Sequence, residues 1–433
     1  MAIGTMACAS DTLADAFKNG KVSGDLRFVY TGGSQSDATT QTAPVNNVNV
    51  GSIAAEIKYV TDSFNGFKVG LAFQSAHDLG FHKNDYSGVP GAQPASEDDE
   101  RNSVSTTLLS EAYIQYNFLK SNITIGRQKI KTPLIMTSSA FALEDSFDAA
   151  ILTLNEIPDT MVKLIYIQDW QMRYGSDARK SAAGVITATQ ADEHYEKGMY
   201  SLFFKNNSIK GLTLDGQYLK TNENKMFFDA PVFIGVGGYD EYYLQAEYKL
   251  PIKFPLSFAM TYAGANYDTG VKSVPALPAA TVGGDNAKLY GFKVATEVSG
   301  VKMNAAYTTM DDEANFPGTL GHVPDTIAYT DMLTNNAIFA GVNAYSLEAI
   351  YGFGIPGFSS ALKFAHYNQS QKGIINSGGM NLDGTDEVNI DLKYAFSGAL
   401  KGFSTQLWAG YGTYDVPGED AFTYARFYLH YRF

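Results

Sequence analysis

The chain has 433 residues, yet no Pro- or Ser-rich linker divides it into the two or three domains such a length suggests for a soluble protein. Charged residues are only 18% of the total, and a formal net charge of −13 argues against a nucleic-acid surface. One Cys and six His leave little for thiol or metal chemistry, and no run of 18 or more apolar residues offers a membrane helix.

The first ten residues, "MAIGTMACAS", look like the tail of a secretory signal peptide. They are short and apolar, and Ala7-Cys8-Ala9 fits an A-x-A cleavage pattern before Ser10, although a basic n-region is missing. A second reading makes Cys8 a lipoprotein anchor, but Thr5-Met6-Ala7 lacks the expected Leu. A third gives the segment no targeting role. The expected organisation is a signal-peptide remnant over 1–9, a short periplasmic segment over 10–19 and one barrel over 20–433. In "TLADAFKNG", Thr12 and Asp15 have capping-box spacing, and Gly20 is placed to close a short helix.

Beyond Gly20 the chain alternates. In "GFKVGLAFQS", Phe67, Val69, Leu71 and Phe73 share one face, and Lys68, Gly70, Ala72 and Gln74 share the other. "SIAAEIKYV", "YYLQAEYKL" and "EVNIDLKYAF" repeat the pattern. Eighteen such segments are expected: 20–31, 50–61, 66–76, 106–118, 122–131, 147–157, 160–172, 197–206, 210–221, 239–250, 254–266, 287–298, 300–310, 342–352, 358–369, 386–397, 402–414 and 421–433. Soluble strands average about 5–6 residues, whereas tilted membrane strands need about 9–11. The length therefore selects a transmembrane antiparallel β-barrel of about 18 strands. Short turns such as "LKSN", "NNSIKG" and "SGALKG" alternate with long polar loops at 77–105, 173–196, 267–286 and 311–341. Short periplasmic turns and long extracellular loops are the layout of a bacterial outer-membrane barrel.

A barrel of that strand number encloses an aqueous lumen. By parity the wall is mixed. Glu111 and Asp391 are among the inward acids, and Arg27, Lys363, Lys393, Arg426 and Arg432 among the inward bases. Pore-lining charge sets ion selectivity. The connection after the fifth strand is unusually apolar, with Leu134, Ile135, Met136, Phe141 and Leu143. Folded inward over about 132–146, it would narrow the channel and bring Lys129, Lys131, Glu144 and Asp145 to a constriction. Arg127 shares the parity of lipid-facing Ile123 and Ile125, so a bulge is needed to turn it inward. The acidic runs at 97–100 and 311–313 match no defined calcium loop. No metal and no cofactor is expected.

"IGRQKIKTPL", "SFDAAILT", "IPDT" and a strand ending in Trp170 resemble the OprD-type outer-membrane porins, nearest to their epsilonproteobacterial branch. "ADAFKNGKVSGDLRF" near the start and the aromatic last strand are similar too. The family's Leu-Pro-x-Thr-Phe-Glu-Gly run is only partly kept in "ALEDSFDAA". The resemblance implies an eighteen-strand porin with a constriction made by inward-folded loops. It also implies a basic ladder for small carboxylate-bearing solutes, placed here on Arg27, Arg127, Lys363, Lys393, Arg426 and Arg432. Terminal Phe433 with alternate aromatics resembles the signal read by the barrel-assembly machinery. The implied surroundings are outer-membrane lipid and lipopolysaccharide outside and small hydrophilic solutes within. A homotrimer is one expectation for subunit number.

Two other classes compete. A barrel enzyme needs a nucleophile, a base and an orienting acid, but no G-x-S-x-G elbow occurs and no His stands at a telling spacing from a Ser. A surface adhesin would put its function in the long loops. It would bind a surface strongly and conduct only incidentally.

Overall fold

The computed structural model describes all residues except 1–9, 36–45, 80–105, 172, 174–191, 223–237, 268–285, 322–326, 331, 333–335, 378 and 416–420. The signal-peptide reading and the acidic run at 97–100 lie outside the described residues.

Alternation makes every expected segment a strand. These are β1 (Lys21–Gln35), β2 (Asn46–Val60), β3 (Phe67–Asp78), β4 (Thr106–Phe118), β5 (Ser121–Gln128) and β6 (Ser146–Leu154). They continue through β7 (Thr160–Gln171), β8 (Asp192–Asn206), β9 (Leu212–Thr221), β10 (Tyr239–Lys249), β11 (Leu256–Tyr267) and β12 (Asn286–Val298). The last are β13 (Val301–Met310), β14 (Val342–Tyr351), β15 (Phe358–Gln369), β16 (Thr385–Ala395), β17 (Phe403–Thr413) and β18 (Phe422–Arg432). The larger departures from expectation lengthen β1, β2 and β8 toward the long-loop rim.

All eighteen join one antiparallel sheet, and β1 pairs with β18 from Asp25↔Arg432 to Ser34↔Thr423. The sheet therefore closes into a barrel with no free edge, as strands in lipid require. Gly24 and Phe433 exchange backbone hydrogen bonds at 3.0 and 3.2 Å where the two strands meet. A Cβ at Gly24 would lie 2.5 Å from the Phe433 ring, so only glycine seats that ring.

The barrel is inside out relative to a soluble protein. Outward Ile53, Leu71, Ile114, Leu244 and Leu347 are exposed, while inward Gln74, Glu111, Gln217 and Asn389 are buried. Aromatic pairs bound the outward apolar band on both sides: Phe67–Tyr116 and Phe403–Tyr431, each at 4.6 Å, near the short turns, and Tyr166–Tyr200, Tyr218–Tyr242 and Tyr262–Tyr290 at 5.2–5.4 Å near the long loops. Two aromatic girdles around an apolar band are the signature of a membrane barrel.

Two short turns show why their residues are there. Asn65-Gly66 and Ser299-Gly300 have positive φ at both positions (49° and 86°; 51° and 82°). That geometry matches the twist of the flanking strands, and glycine adopts it without strain. Before β1, α1 (Leu13–Lys18) is capped by Thr12, whose hydroxyl oxygen accepts from the Asp15 amide at 3.1 Å. The helix ends on Asn19 rather than at Gly20. The Asp62 amide donates to the Ala16 carbonyl at 2.9 Å, docking α1 on the β2–β3 turn.

Candidate pore constriction

The segment between β5 and β6 folds into the lumen. Its tip is a two-rung hairpin, Lys131–Thr132 against Ile135–Met136. Leu134 and Ile135 are fully buried there. Burying backbone polar groups requires partners for them, and inward side chains of the wall supply several. The Leu134 amide donates to Gln217 Oε1 at 2.8 Å, and Gln217 Nε2 donates to Thr132 Oγ1 at 2.9 Å. On the far side, Tyr428 Oη donates to the Ala140 carbonyl at 3.0 Å, and Arg27 donates to the Phe141 carbonyl at 3.3 Å. Gln74 pairs with both the amide and the carbonyl of Glu144, at 2.8 and 3.2 Å. Gln217 is on β9 and Tyr428 on β18, halfway round the barrel. The segment thus spans the full width of the lumen.

A charged cluster fixes its return. Arg27 meets Glu144 at 3.0 Å and Asp25 at 3.1 Å, and Lys129 bridges Glu56 and Glu144, the latter at 2.5 Å. Burial alone would raise the Glu144 carboxyl. Arg27 and Lys129 outweigh it and hold the group below its ordinary 4.5. Burial would lower the Lys129 ammonium, but Glu144 and Glu56 outweigh it and raise the group above 10.5.

A second segment also enters the lumen. The loop 311–341, expected to be polar and outward, buries Phe316, Leu320, Ile327, Ile338 and Phe339. Its acidic start points outward, and Asp312 and Glu313 stay at the surface, sharing Lys372 at 3.1 and 2.5 Å. Its many apolar residues need cover. Tyr267 Oη donates to the Asn315 carbonyl at 2.7 Å, and the Phe316 amide donates to the Ile338 carbonyl at 2.9 Å. The two inward segments meet each other. Met136 donates to the Leu320 carbonyl at 2.7 Å, Leu320 donates to the Leu134 carbonyl at 3.1 Å, and Thr319 Oγ1 donates to the Pro133 carbonyl at 2.9 Å.

The named candidates fall in distinct places. Arg27, Glu144 and Lys129 converge at the crossing. Glu111 is buried below it, paired with Lys58 at 2.5 Å. Arg426 stacks on Phe141 of the crossing segment, with 4.8 Å from guanidinium carbon to ring centroid. Asp391 pairs with Lys393 at 2.7 Å, and Arg432 meets Asp25 at 3.3 Å, both toward the short-turn rim. Lys363 donates to the Tyr329 carbonyl at 3.2 Å, so it faces the second segment. Lys131 is exposed. Asp145 is fully buried against Arg173, accepting from its backbone amide at 3.0 Å, which makes it an internal anchor rather than a wall charge.

Arg127 is not turned inward. It forms a two-pronged pair with Asp148, both bonds at 2.8 Å. Asp148 lies between Phe147 and Ala149, which are buried in the barrel, so by alternation the pair sits on the outward face with Ile125. The bulge beside it falls at Asp148/Ala149 against β7, where it leaves the parity of β5 unchanged. Three anchors had no motif in the sequence: Gln74, Gln217 and Arg173, whose guanidinium lies 3.8 Å from the Phe141 centroid. Inward parity flagged Gln74 as polar, but its partner, Glu144, is 70 residues away.

The profile described as "outer membrane porin, OprD family" matches residues 17–433. Among solved structures, the chain is similar to Pseudomonas aeruginosa OccK3 (OpdO), with a TM-score of 0.70, 14% identity and 97% of each chain covered. It is similar to Acinetobacter baumannii OccAB1, with a TM-score of 0.71, 13% identity and 96% and 97% covered. The same organism's OccAB4 has a TM-score of 0.69, 16% identity and 96% and 98% covered. No curated protein sequence matches the chain.

Proposed function

Since the chain belongs to the OprD family of outer-membrane porins, we propose that it is a passive channel that favours small carboxylate-bearing solutes, drawn along the charged side of its lumen. One observation carries the preference. Several bases of the lumen have an acid beside them: Arg27, Lys58, Lys129, Lys393 and Arg432 each pair with a carboxylate. Arg426 has no carboxylate partner among the described residues, and its Nε is buried without a hydrogen bond. A guanidinium offers a planar fork that matches a carboxylate. Its stacking on Phe141 places that fork beside the crossing segment.

The test is planar-bilayer conductance with reversal potential in a salt gradient. Wild-type barrel should conduct with anion preference, and Arg426→Glu should move the reversal potential toward cations. An unchanged potential would remove Arg426 from the reading. A barrel that binds surfaces strongly but conducts nothing would favour the adhesin. The pairing of Gly24 with Phe433 supports a role for the terminal strand in assembly, and Phe433→Ala should lower the yield of inserted barrel. Cross-linking in membranes reads whether copies associate as a homotrimer.

A further inference from the structure

The short-turn rim carries a repeated dipeptide. Four of its turns, and the α1 helix docked beside another, present an apolar residue followed directly by lysine: Phe17-Lys18, Leu119-Lys120, Ile209-Lys210, Ile252-Lys253 and Leu400-Lys401. All ten side chains are exposed, Leu119 almost completely at 90%. None of the five lysines makes an ion pair among the described residues. Two nearby carboxylates are taken up by the turns themselves. Asp62 accepts from the Ser63 amide at 2.8 Å and Ser10 Oγ at 2.9 Å, and Glu156 accepts from the Lys120 amide at 3.3 Å and from Ser121 Oγ.

A tight turn in water has no use for a bare Leu or Ile. Beside a lipid-facing wall it has one. An apolar side chain can enter the leaflet while its lysine neighbour reaches back to the phosphate layer. These turns stand at the same end of the barrel as the Phe67–Tyr116 and Phe403–Tyr431 girdle. The lysines stand apart from a chain whose overall charge is −13. We propose that these four turns and α1 form a docking hoop for the phospholipid leaflet on the short-turn side, its lysines selecting anionic headgroups such as phosphatidylglycerol. Cations at a membrane surface attract anionic lipid.

The full chain, folded in vesicles of phosphatidylethanolamine and phosphatidylglycerol, tests this in two arms. Leu119→Trp and Ile209→Trp add fluorescence above the background of Trp170 and Trp408. The added signal should be quenched by lipid brominated high on the acyl chain and protected from acrylamide. Strong acrylamide quenching with no effect of bromolipid overturns the insertion. In the second arm, spin-labelled phosphatidylglycerol and phosphatidylcholine compete for the barrel. The wild type should hold an excess of phosphatidylglycerol that is lost when the five lysines become Gln, with gel mobility of the unheated protein showing that the variant is folded. Equal association of both lipids with the wild type overturns the charge selection. Failure of both arms would leave a periplasmic protein as the occupant and sink the proposal.

Discussion

The two sides of the lumen are built from the same alternation and end up chemically opposite. On β1–β4 and β16–β18 the inward face carries Asp25, Arg27, Lys58, Glu111, Asp391 and Arg426. On β11–β15 it carries Ala263, Ala265, Ala287, Ala344 and Ala365, all fully buried. The small side chains leave room for Phe316, Ile338 and Phe339 of the second segment, and one apolar cluster joins these to Leu134 and Ile135 of the first. Charged residues predominate on the first side and alanines on the covered side, where Lys363 is held by the Tyr329 carbonyl. The solute path is therefore set by which wall the loops choose, and the wall residues make that choice by volume as much as by charge.

Breaking the charged side should have the largest effect. Arg27 is 3% exposed and holds Glu144, Asp25 and the Phe141 carbonyl at once. Arg27→Ala leaves the buried Glu144 carboxylate with Lys129 alone, and breaking part of a buried ion cluster costs up to about 3–5 kcal/mol. The crossing segment should detach there, with a rise in single-channel conductance. The covered side should respond less. Ala287→Leu overfills the contact with the second segment at about 1–3 kcal/mol, and the expected readout is a lower midpoint in urea with reversal potential unchanged. Gln217→Ala removes the far tether of the crossing segment. A buried hydrogen bond left unmade costs about 1–3 kcal/mol, and current noise should increase while mean selectivity holds.

The pH response follows from the signs. Glu144 titrates below 4.5 in the folded barrel, so its stabilisation is present above 4.5 and is lost only as pH falls through that lower value. Lys129 titrates above 10.5, so its contribution is complete below 10.5 and is lost only above that. Conductance should be flat between about pH 5 and 10 and change outside that window. A step near neutral pH would show that other groups hold the segment. The smallest effect belongs to the surface. Lys372→Gln breaks an exposed cluster with Asp312 and Glu313 and should leave conductance and unfolding midpoint where they were.

Strand count, face parity and barrel closure were legible because each is a local period-two signal repeated eighteen times. The inward course of the first segment was legible too, since Leu134, Ile135 and Phe141 are too apolar for an outward loop. The second segment was hidden by its first three acids. Its apolar residues find their partners at Pro133 and Leu134, and the bond from Thr319 spans 186 residues. No local pattern encodes a meeting at that distance. Asp145 and Glu144 are adjacent in sequence, yet one is an internal anchor and the other faces Arg27, a division made by packing alone. Arg127 shows the reverse. Its parity pointed outward from the start, and Asp148, not a bulge, accounts for its charge.

The bonds between Leu134, Met136 and Leu320 have a mechanical meaning. Two spans spring from different parts of the wall, and the second bonds to the tip of the first where Gln217 of β9 holds that tip. Each braces the other. Such an arch fails as a unit. Loosening the footing at Gln217 should slacken the span that carries Leu320, and two substitutions on opposite spans should together cost less than the sum of each alone.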